Sequence, residues 1–165
     1  MASETEHKYL VISDEYLSLA KSSHIIEQGY LNRDKRRTVR VRIFDDKGFI
    51  TIKGETFGDT REEYEYQIPL DDARALLRLC DGVVVSKTRY VVPYCGFEWE
   101  VDIFKGGLSP LRVAEIELPV SSHDYPLPPF VGKEVTGDVR FYNSALSSEG
   151  ISQIMPLISE SEDIP

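Results

Sequence analysis

Glutamates spaced two apart recur in the alternating segments of this 165-residue chain, at Glu4/Glu6, Glu63/Glu65, Glu98/Glu100 and Glu115/Glu117, and Arg40/Arg42 repeats the spacing in the opposite sign. In an extended chain, residues two apart share a face. Each pair therefore places like charges side by side, which costs energy unless something between or opposite them compensates. Carboxylates at that spacing offer hard oxygen donors to a divalent cation such as Mg²⁺. Arginines and lysines at the same spacing suit the oxygens of a polyanion. Together they describe chemistry on a small, highly charged substrate carried out with a metal ion.

The elements that must carry these residues are strands. Polar and apolar positions alternate over 4–12, 39–44, 49–54, 62–68, 86–94, 97–104 and 113–120, the pattern of half-buried strands. "FDDKGF" joins two of them through Asp46, Lys47 and Gly48, and "PYCGFE" joins another pair through Gly96, as hairpins would. Three segments read as helices: "SDEYLSLAKSS", "LDDARALLRLCDG" with Asp71 as N-cap, and "TGDVRFYNSALS" with Thr136 as cap and Val139, Tyr142 and Leu146 on one stripe. "DYPLPPF" at 124–130 is extended loop, because its prolines remove backbone donors. The acidic, serine-rich end "SESEDIP" is expected to fray.

Sorted by parity, one face of the strands collects nine acids (Glu4, Glu6, Glu63, Glu65, Glu98, Glu100, Asp102, Glu115 and Glu117) and seven bases (Lys8, Arg40, Arg42, Lys53, Arg61, Lys87 and Arg89). The other face holds Val39, Val41, Ile50, Ile52, Tyr64, Tyr66, Trp99, Val101, Ala114, Ile116 and Leu118. An ionic face can simply be the wet side of an antiparallel sheet. Wet faces are, however, usually diluted with Thr, Ser, Gln and Asn. The alternative is a closed barrel with the ions in its lumen and the apolar face packed against helices outside; there a polyanion would satisfy the bases and divalent cations the acids.

Composition narrows the function classes. The formal charge of −9 argues against a general nucleic-acid binder, whose footprint is basic. No apolar run approaches the roughly 20 residues of a membrane span, and "MASETEHK" has no positive segment leading into an apolar core, so a cytoplasmic protein is expected, with no membrane partner. Cys80 and Cys95 have no metal-type spacing and read as reduced, buried thiols. A Walker A motif is absent from the sequence, which excludes a P-loop route.

The residues resemble those of the CYTH, or triphosphate tunnel metalloenzyme, family, above all its small bacterial single-domain members. The family's Glu-x-Glu-x-Lys motif stands here as Glu4-Thr5-Glu6-His7-Lys8, followed in order by "QGYL" (28–31), "RTVRVR" (37–42), "TIKGE" (51–55), "EYEYQIP" (63–69), "KTRY" (87–90), "WEVDIF" (99–104), "AEIELP" (114–119) and "GKEVTGDVRFYNSALS" (132–147). The resemblance implies a mainly β (α+β) fold, a closed antiparallel eight-stranded tunnel with helices outside, over residues 1–147. Residues 148–165 would form a partly disordered extension.

It also implies roles for particular residues. Glu4, Glu6, Glu115 and Glu117 would hold a catalytic Mg²⁺ or Mn²⁺, with Glu100 and Asp102 supporting it or sharing a second ion. Lys8, Arg40, Arg42, Lys53, Lys87 and Arg89 would grip the triphosphate. Glu63 and Glu65 would either join the site or orient the basic side chains. Tyr30 would act as a proton acceptor, its phenol depressed by nearby cations, or as a structural hydrogen-bond partner. Lys133 and Arg140 would lie at the tunnel mouth, at the closing helix or on the surface, while Thr5 and His7 face outward as spacers.

The activity implied is metal-dependent hydrolysis of inorganic triphosphate to pyrophosphate and phosphate, by a monomer or a homodimer. Related alternatives are a nucleoside or thiamine triphosphatase, an adenylate cyclase, or a non-catalytic polyphosphate- or nucleotide-binding module.

Overall fold

A hairpin ladder explains most of the architecture. β3 (Arg37–Phe44) runs into β4 (Lys47–Gly54) through a turn at Asp45–Asp46, where Asp45 takes φ 54°. β6 (Asp81–Tyr94) runs into β7 (Phe97–Phe104) through Cys95 and Gly96 at φ 49° and 83°. Both turns thus use left-handed backbone, which matches the twist of tight hairpins. The first turn falls one residue earlier than the sequence suggests. Gly48 is not a turn residue; it lets Ala73 pack against β4, since a Cβ at that position would meet the Ala73 Cβ at 2.6 Å.

The structure is a computed structural model that describes residues 3–119 and 124–162, with side chains throughout except at Ser3, Glu4 and 159–162. The remaining strands are β1 (Ser3–Val11), β2 (Ser22–Asn32), β5 (Thr60–Ile68), β8 (Arg112–Leu118) and β9 (Val131–Glu134). Among the described residues, eight strands follow one another antiparallel in the order β5-β4-β3-β2-β6-β7-β8-β1, and β1 returns to β5 to close the ring. β9 adds to β1 outside that ring.

β2 escaped the period-two reading although it joins β3 to β6. Its alternation is broken by adjacent Ile25 and Ile26 and by a register shift between Gln28 and Tyr30. Gly29 sits within that shift, where a Cβ would come within 2.9 Å of Cys80. The expected strand over 113–120 ends at Leu118, and residue 120 lies outside the described residues.

The helices are shorter than their sequence signals. The first expected segment yields only α1 (Tyr16–Leu19), because the Lys21 N–H is already committed to the Val91 carbonyl at 2.9 Å. α2 (Leu70–Leu79) starts after Pro69; Asp71 lies in its first turn, where its charge favours the helix dipole, and does not cap it. Thr136 does not cap a helix either. Its hydroxyl accepts the Lys8 N–H at 2.9 Å, and α3 begins only at Asn143 and runs to Glu149, after a short 3-10 turn at Val139–Phe141 capped by Asp138. A last helix, α4 (Met155–Glu162), follows.

Two apolar clusters flank the barrel. One packs Tyr9, Trp99, Val101 and Ile116 beneath Tyr16 and Phe130, outside the wall. The other gathers Leu10, Val85, Phe104 and Val113, which share the inward parity of Lys8, Lys87, Asp102 and Glu115, against Phe141, Leu146, Ile154 and Ile158. One end of the barrel is therefore stopped by an apolar plug from the C-terminal segment, and the ions line what is left open. Of the segment expected to fray, 159–162 continue α4 as helix, with side chains outside the described residues, and 163–165 lie outside those residues altogether.

Candidate active site

The open part of the barrel is a cavity of about 320 Å³. Strand parity decides what reaches it. β1 contributes Glu6 and Lys8; β3, Arg40 and Arg42; β4, Lys53; β5, Arg61, Glu63 and Glu65; β6, Arg89; β7, Glu100; and β8, Glu115 and Glu117. Six bases thus face six glutamates on the described wall. Twelve of the sixteen ions on the ionic face line the lumen, whereas Glu98 stands in solvent against Lys21 at 2.6 Å; the alternating partners Val41, Trp99, Val101, Ala114 and Ile116 are buried on the other side.

Five of these glutamates reach toward a base on another strand. Arg89 Nη1 donates to Glu100 Oε2 at 2.9 Å, Lys8 lies 3.4 Å from Glu115, and Arg40 lies 3.4 Å from Glu65. Lys53–Glu63 and Arg61–Glu6 stand looser, both at 3.9 Å. Burial opposes the charge on Lys8, yet Glu115 and Glu6 outweigh it and raise the ammonium's pKa. Burial likewise opposes ionisation of Glu115, and Lys8, aided by Arg89 and Lys87, holds its carboxyl below the ordinary range. Both groups are charged at neutral pH.

The arginines are compensated unevenly. Arg42 makes no ion pair among the described residues; its Nε donates to Gln28 Oε1 at 2.8 Å, and burial together with Arg40 and Arg89 pulls its pKa down to about 9. The Nε of Arg40 is buried without a hydrogen-bond partner. A buried unsatisfied donor costs about 1–3 kcal/mol. This stretch of wall thus carries buried cationic donors that acceptor oxygens could satisfy.

Other expected site residues are placed differently. Asp102 does not line the cavity: only 2% exposed, it accepts from Lys87 Nζ at 2.6 Å and from Arg89 Nε and Nη2 at 2.8 and 2.9 Å. Burial opposes its charge, but the two cations hold the carboxyl far below the usual range. Both its oxygens are occupied, so it anchors Arg89. Lys87 is fully buried behind the wall, where it also donates to Asn143 Oδ1 at 3.2 Å, and burial lowers its pKa to about 7.

Lys133 is exposed on β9 and is not brought to the tunnel, and Arg140 pairs with Asp138 at 2.6 Å on the surface. Tyr30 does line the cavity, yet its phenol is not depressed. Burial pushes it up and outweighs Arg40, Arg42, Arg61 and Lys8, so it stays protonated as a donor. Glu4 lies on β1 in register with Arg61, and its side chain lies outside the described residues.

The plug contributes residues that the sequence reading gave no site role. Tyr142 places its ring 5.5 Å from Lys8 Nζ and 5.8 Å from the Arg61 guanidinium carbon. Asn143 and Ser144 also face the cavity, and the Phe141 carbonyl accepts from Lys8 at 3.3 Å. Their only sequence signal was the block "RFYNSALS", which reads equally as a helix stripe.

Among the described residues, no three acidic, histidine or cysteine side chains gather into a metal cage. The wall nevertheless offers carboxylate oxygens and no histidine or thiol, with Glu6 opposite Glu117 and Lys8 opposite Glu115 across β1 and β8. That donor set suits a hard cation that takes one or two carboxylates and completes its shell with phosphate oxygens.

Fold and wall together define a class: a closed antiparallel barrel whose lumen pairs acids with bases. The CYTH domain model matches residues 2–142, and the chain belongs to that family. A relative from Acetivibrio thermocellus, named inorganic triphosphatase, is 47% identical over 88% of this chain and 94% of its own length. A protein of the same name from Nitrosomonas europaea is 37% identical over 74% of this chain and 83% of its own. The crystal structure of an inorganic triphosphatase superposes with a TM-score of 0.63 at 33% identity, covering 89% of this chain and 95% of that one.

Proposed function

We propose that the chain hydrolyses inorganic triphosphate to pyrophosphate and phosphate inside the tunnel, with Mg²⁺ or Mn²⁺. The observation that carries this reading is the undercompensated basic wall, where Arg40 keeps a buried donor unpaired and Arg42 lacks a carboxylate partner. Phosphate oxygens would supply both. The names of the relatives from Acetivibrio thermocellus and Nitrosomonas europaea support the same substrate.

Arg40, Arg42, Lys53, Arg89 and Lys8 grip the phosphates, and Glu63 and Glu65 orient Lys53 and Arg40. Glu4, Glu6, Glu115 and Glu117, with Glu100 nearby, would hold the divalent ion. When bound, that ion supplies positive charge to the phosphates and makes a water acidic enough to attack at neutral pH. The water oxygen adds to the terminal phosphorus in line, the P–O bond to pyrophosphate breaks, and a neighbouring carboxylate takes the water proton. Positioning and charge stabilisation do the rest, as phosphoryl transfer requires. Tyr30, kept protonated, donates to a substrate oxygen. Lys87 and Asp102 keep Arg89 extended toward the phosphates.

Phosphate release from tripolyphosphate, ATP and thiamine triphosphate, with and without Mg²⁺, tests the reading. Tripolyphosphate is expected to turn over fastest and only with metal. Glu117→Gln is expected to lower kcat at least a hundredfold while leaving the fold intact. Full turnover in that variant, or none of tripolyphosphate by the unaltered protein, would reject it.

A further inference from the structure

The ring of strands has one weak point. On the edge of β1 away from β8, β5 pairs with Ser3–Thr5 and β9 with Tyr9 and Val11, so among the described residues no strand ladders with Glu6, His7 and Lys8 there. The seam falls where two of the proposed active-site residues, Glu6 and Lys8, enter the lumen. A small cleft opens in the wall between them and Asp59, Arg61, Thr136 and Tyr142.

Three groups outside the strands replace the ladder there, one of them the Val135 N–H, which donates to the Lys8 carbonyl at 2.8 Å. The Glu6 N–H donates to the Asp59 carbonyl at 3.1 Å, and the Lys8 N–H donates to Thr136 Oγ1 at 2.9 Å. His7, between them in sequence, points outward and touches the same two segments. Its Nε2 lies 2.9 Å from Asp59 Oδ2, and its Nδ1 lies 3.2 Å from Glu134 Oε2. The Thr136 hydroxyl donates to that same Glu134 oxygen at 2.6 Å. Both circuits therefore close through one imidazole. From Glu6 one runs through the Asp59 backbone and side chain to His7; from Lys8 the other runs through Thr136 and Glu134 to His7. The Tyr125 ring stands edge-on to the imidazole at 5.6 Å and limits its rotation.

We propose that His7 is a positioning residue for the reaction: it spans the seam and sets where Glu6 and Lys8 stand in the lumen. This rests on the triphosphatase reading. Because Arg40, Arg42, Lys53 and Arg89 come from strands on the intact part of the ring, substrate grip survives loss of His7. What moves is the Glu6–Lys8 pair, and a displacement near 1 Å at reacting groups can lower a rate up to about a hundredfold.

The test is His7→Ala in the full chain, read in two ways. Amide hydrogen exchange at Glu6 and Lys8 is expected to quicken at least tenfold while Val101 and Ala114 stay unchanged. On tripolyphosphate kcat is expected to fall about tenfold or more with KM within threefold, and His7→Gln, whose amide NH₂ can still donate to one of the two carboxylates, to recover part of both losses. A variant that weakened the whole fold would quicken exchange everywhere and overturn the idea, as would wild-type exchange at Glu6 and Lys8 or an undiminished kcat. If His7→Ala does not fold, Asp59→Asn combined with Glu134→Gln leaves the ring without its charged partners and is judged by the same outcomes. Amide exchange does not depend on turnover, so an unaltered protein inert toward tripolyphosphate would remove the proposed function and leave the seam decided on its own evidence.

Discussion

Asp102→Asn separates an anchor from a metal ligand. The carboxylate accepts three charged hydrogen bonds, from Lys87 at 2.6 Å and from Arg89 at 2.8 and 2.9 Å, and is 2% exposed. An amide offers a single acceptor oxygen and turns its NH₂ toward a cation. Lys87, fully buried with its pKa already down to about 7, then loses the carboxylate that sustains its charge and is driven to give up its proton inside the wall, whereas Arg89 retains Glu100 at 2.9 Å. Removing one partner of a buried pair costs about 3–5 kcal/mol. For a chain this long each kcal/mol moves Tm by about 2–4 °C, which gives a fall of roughly 6–20 °C. Scanning calorimetry on the ligand-free protein measures it. With the anchor lost, KM for tripolyphosphate is expected to rise while the Mg²⁺ concentration for half-maximal rate stays put. A Tm within 2 °C of wild type together with a raised Mg²⁺ requirement would refute the assignment.

Two further outcomes follow from the same electrostatics. Asp102 and Glu115 have carboxyl pKa values held below the ordinary 3.8 and 4.5, so the folded state binds fewer protons than the unfolded one as pH falls past those values. Their stabilisation is present above about pH 4.5 and drains away below it; urea midpoints measured from pH 7 to pH 3 should fall in the acid range, and Asp102→Asn should flatten that fall. Arg42→Met removes an underpaired buried cation but orphans the fully buried Gln28 Oε1, so the stability of the ligand-free protein should shift by no more than about 1 kcal/mol, while the loss of one charge-assisted hydrogen bond, about 1.5–3 kcal/mol, raises KM tenfold or more. Denaturant titration and steady-state kinetics check the two effects, and unchanged KM would show that Arg42 does not touch the substrate.

Parity is a local property of an extended chain, and it could be read wherever alternation was clean. Arg40 and Arg42, Glu115 and Glu117, and Glu6 and Lys8 were assigned a common face from spacing alone, and all of them line the cavity. β2 was not readable in this way, because its register against β6 shifts at Gly29 and its register against β3 shifts after Tyr30. Helix signals misled where side chains had tertiary employment: Thr136 looks like a cap, yet it serves Lys8 across 128 positions of sequence. Lys133 and Arg89 are equally basic in the sequence, but one sits on an outer strand and the other on the inner wall.

The amino-acid sequence by itself determined which side chains stand together on a strand, because period two needs only neighbouring residues. It also determined the closeness to one family, through short blocks in a fixed order. Only the tertiary structure decided that Asp102 is consumed by Lys87 and Arg89 while Arg42 lacks a carboxylate partner, and that His7 bridges a break in the wall. Such facts depend on which strands lie side by side once the ring closes, and cross-strand neighbours many residues apart leave no trace in local spacing.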